Sequence, residues 1–150
     1  MLTRQAVLAS LRALVVFALL ACLHTWPLAS NPAHLSRNDN ADTVLNEWTL
    51  AWVAHQAPRH PLALYDANIF YPERGTLAYS ELNLVAGLFA VPFWLVSGSP
   101  IVAANGAIAL TLWLAFWCMW ALARRLTGQF WPAVLAATIY TFCPYLLAHT

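Results

Sequence analysis

Long apolar runs separated by one polar stretch set the elements that this chain predicts. A short start carries Arg4 and Arg12 and no acid, and the run ALVVFALLACLHTW then extends from Ala13 to Trp26. Counted from Ala6, it reaches about the 20 residues that a membrane-crossing helix needs, and Pro27 and Pro32 end it. A positive start before an apolar core also fits a signal peptide, but HTWPLASNPAH supplies an A-x-A-like cleavage site only poorly. A first membrane helix or signal anchor, about 6–26, is the better reading. Residues 28–80 are the polar stretch, and within them Asp42 to His55 reads as a helix. Val44, Trp48, Ala51 and Trp52 recur there at i, i+4, i+7 and i+8, one apolar stripe. A stripe with two Trp suits a helix lying on a bilayer surface, closed by Pro58 and Pro61. The segment from Leu64 to Glu81 has turn signals at 66–68 and 72–75. It carries too many aromatic residues for disorder and reads as an ordered loop. Three further apolar runs follow: a short one at 82–96 closed by Ser97-Gly98-Ser99-Pro100, a full-length one at 101–123, and one at 130–147 with Pro132 and Pro144 near its ends. Arg124 to Gly128 reads as the turn between the last two.

The predicted fold is therefore all-α: a polytopic transmembrane helix bundle with a large external loop, 28–80, bearing an amphipathic surface helix. Composition agrees, with 61% of 150 residues hydrophobic and 9% charged, against roughly 25% charged in soluble domains. Eight Trp and five Tyr favour membrane interfaces. All seven basic residues are Arg, and the net charge is +1, so the basic stripe of a nucleic-acid binder is missing. Cys22, Cys118 and Cys143 each sit in an apolar run and read as small buried hydrophobes. Arg4 and Arg12 argue for a cytoplasmic amino terminus, which places the polar loop outside. Strict alternation then puts Arg124 and Arg125 outside, against the positive-inside rule. Either the 82–96 segment does not fully cross, or the arginines have an external task such as a lipid phosphate; alternation is kept as the expectation. The chain stops just after an apolar run, which reads as the amino-terminal fragment of a longer protein.

All six acidic residues lie between Asp39 and Glu81, so the polar chemistry is concentrated in the loop. Asp39, Asp42 and Asn46 are at i, i+3 and i+7, sharing a helical face if the helix begins early enough. A carboxylate held just above the bilayer can act as general base on an acceptor, or help hold a divalent cation. The plainer reading is that Asp39 or Asp42 caps the helix and complements its dipole. Glu81, at the lip of the next apolar run, marks the interface or supplies a second polar group facing Asp42; Glu47 reads as solvated. His34, His55 and His60 fit no zinc spacing. No Walker loop, Gly-rich dinucleotide turn or G-x-S-x-G is present, so no soluble cofactor is expected.

The stretches Ala41-Asp42-Thr43-Val44-Leu45-Asn46-Glu47-Trp48-Thr49-Leu50-Ala51-Trp52, Ala67-Asn68-Ile69-Phe70-Tyr71-Pro72 and Thr76-Leu77-Ala78-Tyr79-Ser80-Glu81 carry a resemblance. Arg124-Arg125-Leu126-Thr127-Gly128 before an Ala-rich run adds to it. Together they resemble the amino terminus of a GT-C superfamily glycosyltransferase, a polytopic enzyme using polyprenyl-phosphate-linked sugars, akin to protein mannosyltransferases and aminoarabinose transferases. The resemblance is to a bacterial branch and implies an inner (plasma) membrane location. It also implies a catalytic acid on the first external loop, a role that falls on Asp42. The Asp-Glu pair familiar in the superfamily is absent, since Thr43 follows Asp42. Asp39, Asn46 and Glu81 would line the site, and Arg74 or the Arg124/Arg125 pair would stabilise the departing phosphate. The competing expectation is a non-enzymatic transporter or flippase-type protein that binds lipid-linked glycan. Transport paths usually place ionisable groups at mid-membrane, whereas here the acids cluster in the loop, which favours the transferase. A small structural membrane protein would not need an ordered aromatic loop.

Overall fold

A computed structural model describes residues 4–38 and 40–149. Among the described residues the regular structure is entirely helical. The α-helices are α1 (Arg4–His24), α2 (Ala41–Gln56), α3 (Leu84–Ser97), α4 (Pro100–Thr127), α5 (Phe130–Thr141) and α6 (Pro144–His149), with short 3-10 turns at Leu28–Ser30, Pro61–Ala63 and Thr76–Tyr79. The chain divides into two compact units, one of Met1–Ala29 with Ala109–Thr150, the other Ser30–Ile108.

Among the described residues two helices, α1 and α4, are long and apolar enough to cross a membrane. At 1.5 Å per residue, α1 is about 32 Å long and α4 about 42 Å, against roughly 30 Å of hydrocarbon. Only Ala13 of α1 is buried, while Val15, Leu19 and Leu23 are exposed. An apolar helix with so little protein cover does not resemble the core helix of a water-soluble domain.

The other two predicted spans differ from expectation. The 82–96 run forms α3, which starts two residues later because Asn83 takes a left-handed conformation (φ 50). Its carboxyl end is closed by Gly98 at φ 63, whose N–H donates to the Trp94 carbonyl. With 14 residues, α3 is about 21 Å long. The 130–147 run is two helices, α5 and α6. Pro144 has no N–H to donate and its ring crowds the carbonyl four residues back, so α5 stops at Thr141 and a new helix begins at the proline. Arg124 to Thr127, expected to be a turn, continue α4, and the chain bends only at Gly128 (φ 68).

In the first unit the buried cluster is Ala13, Phe116, Trp120, Ala123, Ala133, Val134, Ala137 and Phe142. Phe17 lies 5.4 Å from Phe116 between ring centroids, and His24 stacks on Phe142 at 4.4 Å.

In the second unit α2 packs on α3. Gly87 lies against Val53 so closely that a Cβ there would fall 2.5 Å from the valine Cβ. Leu50, Ala54, Ala90, Ala103, Ala104 and Ala107 form the buried cluster, with Phe89 and Trp94 against it. Small residues at these contacts let helix backbones approach. The buried face of α2 is Thr49, Leu50, Ala51, Val53 and Ala54, which shares only Ala51 with the apolar stripe read from the sequence. Val44 is exposed, but Trp48 and Trp52 are half-buried and stack at 6.2 Å. The Trp52 indole donates to the Leu64 carbonyl at 2.9 Å, so its polar end serves the protein's own loop.

Candidate functional site

The polar chemistry sits where the chain enters α2. Asn40, in extended backbone, caps the helix, and its Oδ1 accepts from the Thr43 amide at 2.8 Å. An amide or carboxylate side chain at this position satisfies one of the helix's orphan N–H groups. The cap expected of Asp39 or Asp42 is thus supplied by Asn40. Asp39 lies outside the described residues. Asp42 falls in the first turn, exposed to solvent, where the partial positive charge of the helix terminus favours an anion.

One turn further on, Asn46 meets the second unit's other polar segment. The Asn83 side-chain amide donates to Asn46 Oδ1 at 2.9 Å. This bond joins the helix bearing Asp42 to the Ser80–Asn83 segment bearing Glu81. Glu81 is exposed and precedes α3, rather than beginning the helix. The structure therefore gathers the elements of Asp42, Asn46 and Glu81 at one end of the α2–α3 pair.

Arg74 is exposed in a loop that closes on itself. The Leu77 amide donates to the Tyr65 carbonyl at 3.2 Å, and Asp66 Oδ1 accepts from the Gly75 amide at 2.8 Å. Gly75 sits at φ 67, where a glycine is favoured. The ordered loop expected from the aromatic sequence is thus a ring of residues with joined ends, an Ω-type arrangement. It displays Phe70, Tyr71 and Tyr79 to the exterior.

Arg124 and Arg125 belong to the other unit, in the last turn of α4. Cations there complement the helix's negative end. The Arg124 guanidinium also lies 6.0 Å from the Phe130 ring centroid, within cation–π range. Among the described residues, no three of His, Cys, Asp and Glu are grouped so as to hold a metal ion.

Sequence reasoning missed three asparagines. Asn40 and Asn83 are short polar residues at helix starts, a signal that favoured Asp39 and Asp42 equally. The third, Asn105, is 7% exposed within α4, and its amide donates to the carbonyls of Pro32 and Leu35, each at 2.8 Å. It is the one amide in the apolar run 101–123, and that isolation was its signal. Close by in sequence, Arg37 is partly buried, and loss of hydration lowers its pKa; a guanidinium remains a cation there.

No family model, curated protein or solved structure matches this chain.

Proposed function

We propose that this protein is a membrane glycosyltransferase, moving a sugar from a polyprenyl-phosphate-linked donor to an acceptor at the outer face of a bacterial inner membrane. The observation that carries the reading is the placement of Asp42. It is an exposed carboxylate in the first turn of a helix that packing and the Asn46–Asn83 bond hold in one position. In the reaction, Asp42 takes the proton of an acceptor hydroxyl or amine as that atom bonds to the anomeric carbon. The anomeric carbon–oxygen bond to phosphate breaks, and polyprenyl phosphate leaves with the electron pair. Asn46, Asn83 and Glu81 present hydrogen-bonding groups to sugar hydroxyls beside the acid.

The length of α3 bears on topology. A helix of 14 residues is too short for a hydrocarbon layer of roughly 30 Å. In this reading α3 stays on the outer side with α2, and α4 makes the return crossing. The external region then runs from residue 28 to Ser99, and Arg124 and Arg125 lie in the cytoplasm, as the positive-inside rule favours. That arrangement removes the arginine pair from the outer phosphate and leaves Arg74 to meet it. No carboxylate and no guanidinium lies in α4 before Arg124, which favours surface chemistry over a transport path.

The test is sugar transfer from a polyprenyl-phosphate-linked donor by membranes carrying the protein or its Asp42→Asn variant. Removing a general base costs on the order of 10²–10⁴ in rate, so the variant should lose at least 100-fold. Transfer at the parent rate would remove Asp42 from the mechanism.

A further inference from the structure

We infer that Asn105 is a positioning residue: from within α4 it clamps the segment 32–35 and so fixes where α2, with Asp42, begins. The catalytic consequence rests on the reading of Asp42 given above; the clamp itself does not.

Burying an amide among apolar side chains is unfavourable unless it is hydrogen-bonded. Asn105 is more than nine-tenths buried, and its neighbours Ala103, Ala104 and Ala107 belong to the apolar cluster that holds Leu50 and Ala54 of α2. Its Nδ2 makes two 2.8 Å bonds, to Pro32 and Leu35. Carbonyl oxygens only accept, so these two partners fix which end of the amide is the nitrogen. Its Oδ1 is buried with no hydrogen-bond partner among the described residues. An amide retained in this state is held for the donors it supplies, since the acceptor half is a cost.

What the donors hold is a turn. The amides of His34 and Leu35 both donate to the Asn31 carbonyl, at 3.1 and 3.0 Å, and Asn105 bonds two further carbonyls of the same turn. Five residues after Leu35, Asn40 caps α2, and the Val44 amide donates to the Asn40 carbonyl at 3.2 Å. The first part of α4 therefore bears on α2 in two ways: its alanines share a buried cluster with Leu50 and Ala54, and Asn105 bonds the chain that leads into the helix. Leu50 and Ala54 belong to the carboxyl half of α2, and Asn105 restrains the chain leading into its amino end. Without the clamp, the carbonyls of Pro32 and Leu35 lose their donor, and the lead-in and first turn of α2 are free to shift while the packed half stays in place.

The experiment is amide hydrogen exchange on the intact protein in lipid nanodiscs, comparing the parent with Asn105→Leu and Asn105→Asp. The aspartate variant keeps the shape, so the test survives if the leucine variant fails to fold. Two hydrogen bonds, each worth about fivefold in the opening equilibrium, predict exchange about 25-fold faster at His34, Leu35, Thr43 and Val44. The Ala57 amide, which donates to Val53 in the packed half, should not change. An unchanged rate at the first four amides would overturn the inference. So would acceleration confined to His34 and Leu35, or an equal acceleration at Ala57, which would mark Asn105 as an ordinary packing residue. In the transfer assay the same variants should lower kcat with little change in donor KM. Should the exchange change as expected while Asp42→Asn retains full transfer, the clamp stands and the enzymatic reading falls.

Discussion

Substituting Gly87 tests the contact that holds the candidate acid's helix in place. An alanine at 87 would set its Cβ 2.5 Å from both Cβ and Cγ1 of Val53. Ordinary carbon contacts lie at about 3.5–4.0 Å, so the overlap is at least about 1 Å and α2 and α3 must separate. Overpacking of this kind costs about 1–3 kcal/mol. Against it, replacing glycine by alanine inside a helix gains about 0.8–1.0 kcal/mol. The net expectation for Gly87→Ala is a loss of about 0–2 kcal/mol, read as equilibrium unfolding of the purified protein in detergent followed by helical ellipticity. The partner substitution sharpens the test. Val53→Ala keeps the offending Cβ and gives little relief, whereas Val53→Gly vacates the space. In a double-mutant cycle, Gly87→Ala with Val53→Gly should therefore be more stable than the sum of the single effects by about 1–3 kcal/mol. If Gly87→Ala gained the helix-propensity increment and the cycle were additive, the two helices would not approach as closely as described, and the argument that packing holds Asp42 would fail.

Two other outcomes follow from the same structure. A cysteine placed at Ser99, in a background with Cys22, Cys118 and Cys143 replaced by serine, should react with a membrane-impermeant maleimide added outside intact cells; protection there, with labelling only after lysis, would restore α3 as a full crossing. Asn40→Ala removes the cap on the Thr43 amide and should destabilise the first turn of α2 by about 1 kcal/mol, seen as faster exchange at Thr43; an unchanged rate would mean that the cap contributes nothing.

Much of the helical architecture was legible in the chain itself. The run from Ala6 to Trp26 and the run 101–123 contain enough apolar residues to make their helices evident, and the structure extends the second to Thr127. The α2 helix was readable from its spacing to within a residue or two, because a cap residue precedes it and Pro58 follows. Which of its faces would be buried was not. Trp48 and Trp52 dominate the sequence pattern, yet Val53, Ala54 and Thr49 lie deepest, since Gly87, with no side chain, lets α3 come close at Val53.

Local sequence thus determined where helices form and that polar groups gather between residues 39 and 81, because backbone preference and hydropathy act over a few neighbouring residues. Tertiary structure alone decided that the α2–α3 pair joins Asn46 to Asn83 and that Asn105 reaches Pro32 and Leu35. Those outcomes depend on which distant groups arrive together. A hydrogen bond spanning seventy residues leaves no trace in the periodicity of either segment, and an isolated amide in an apolar run says only that it needs a partner, not which one.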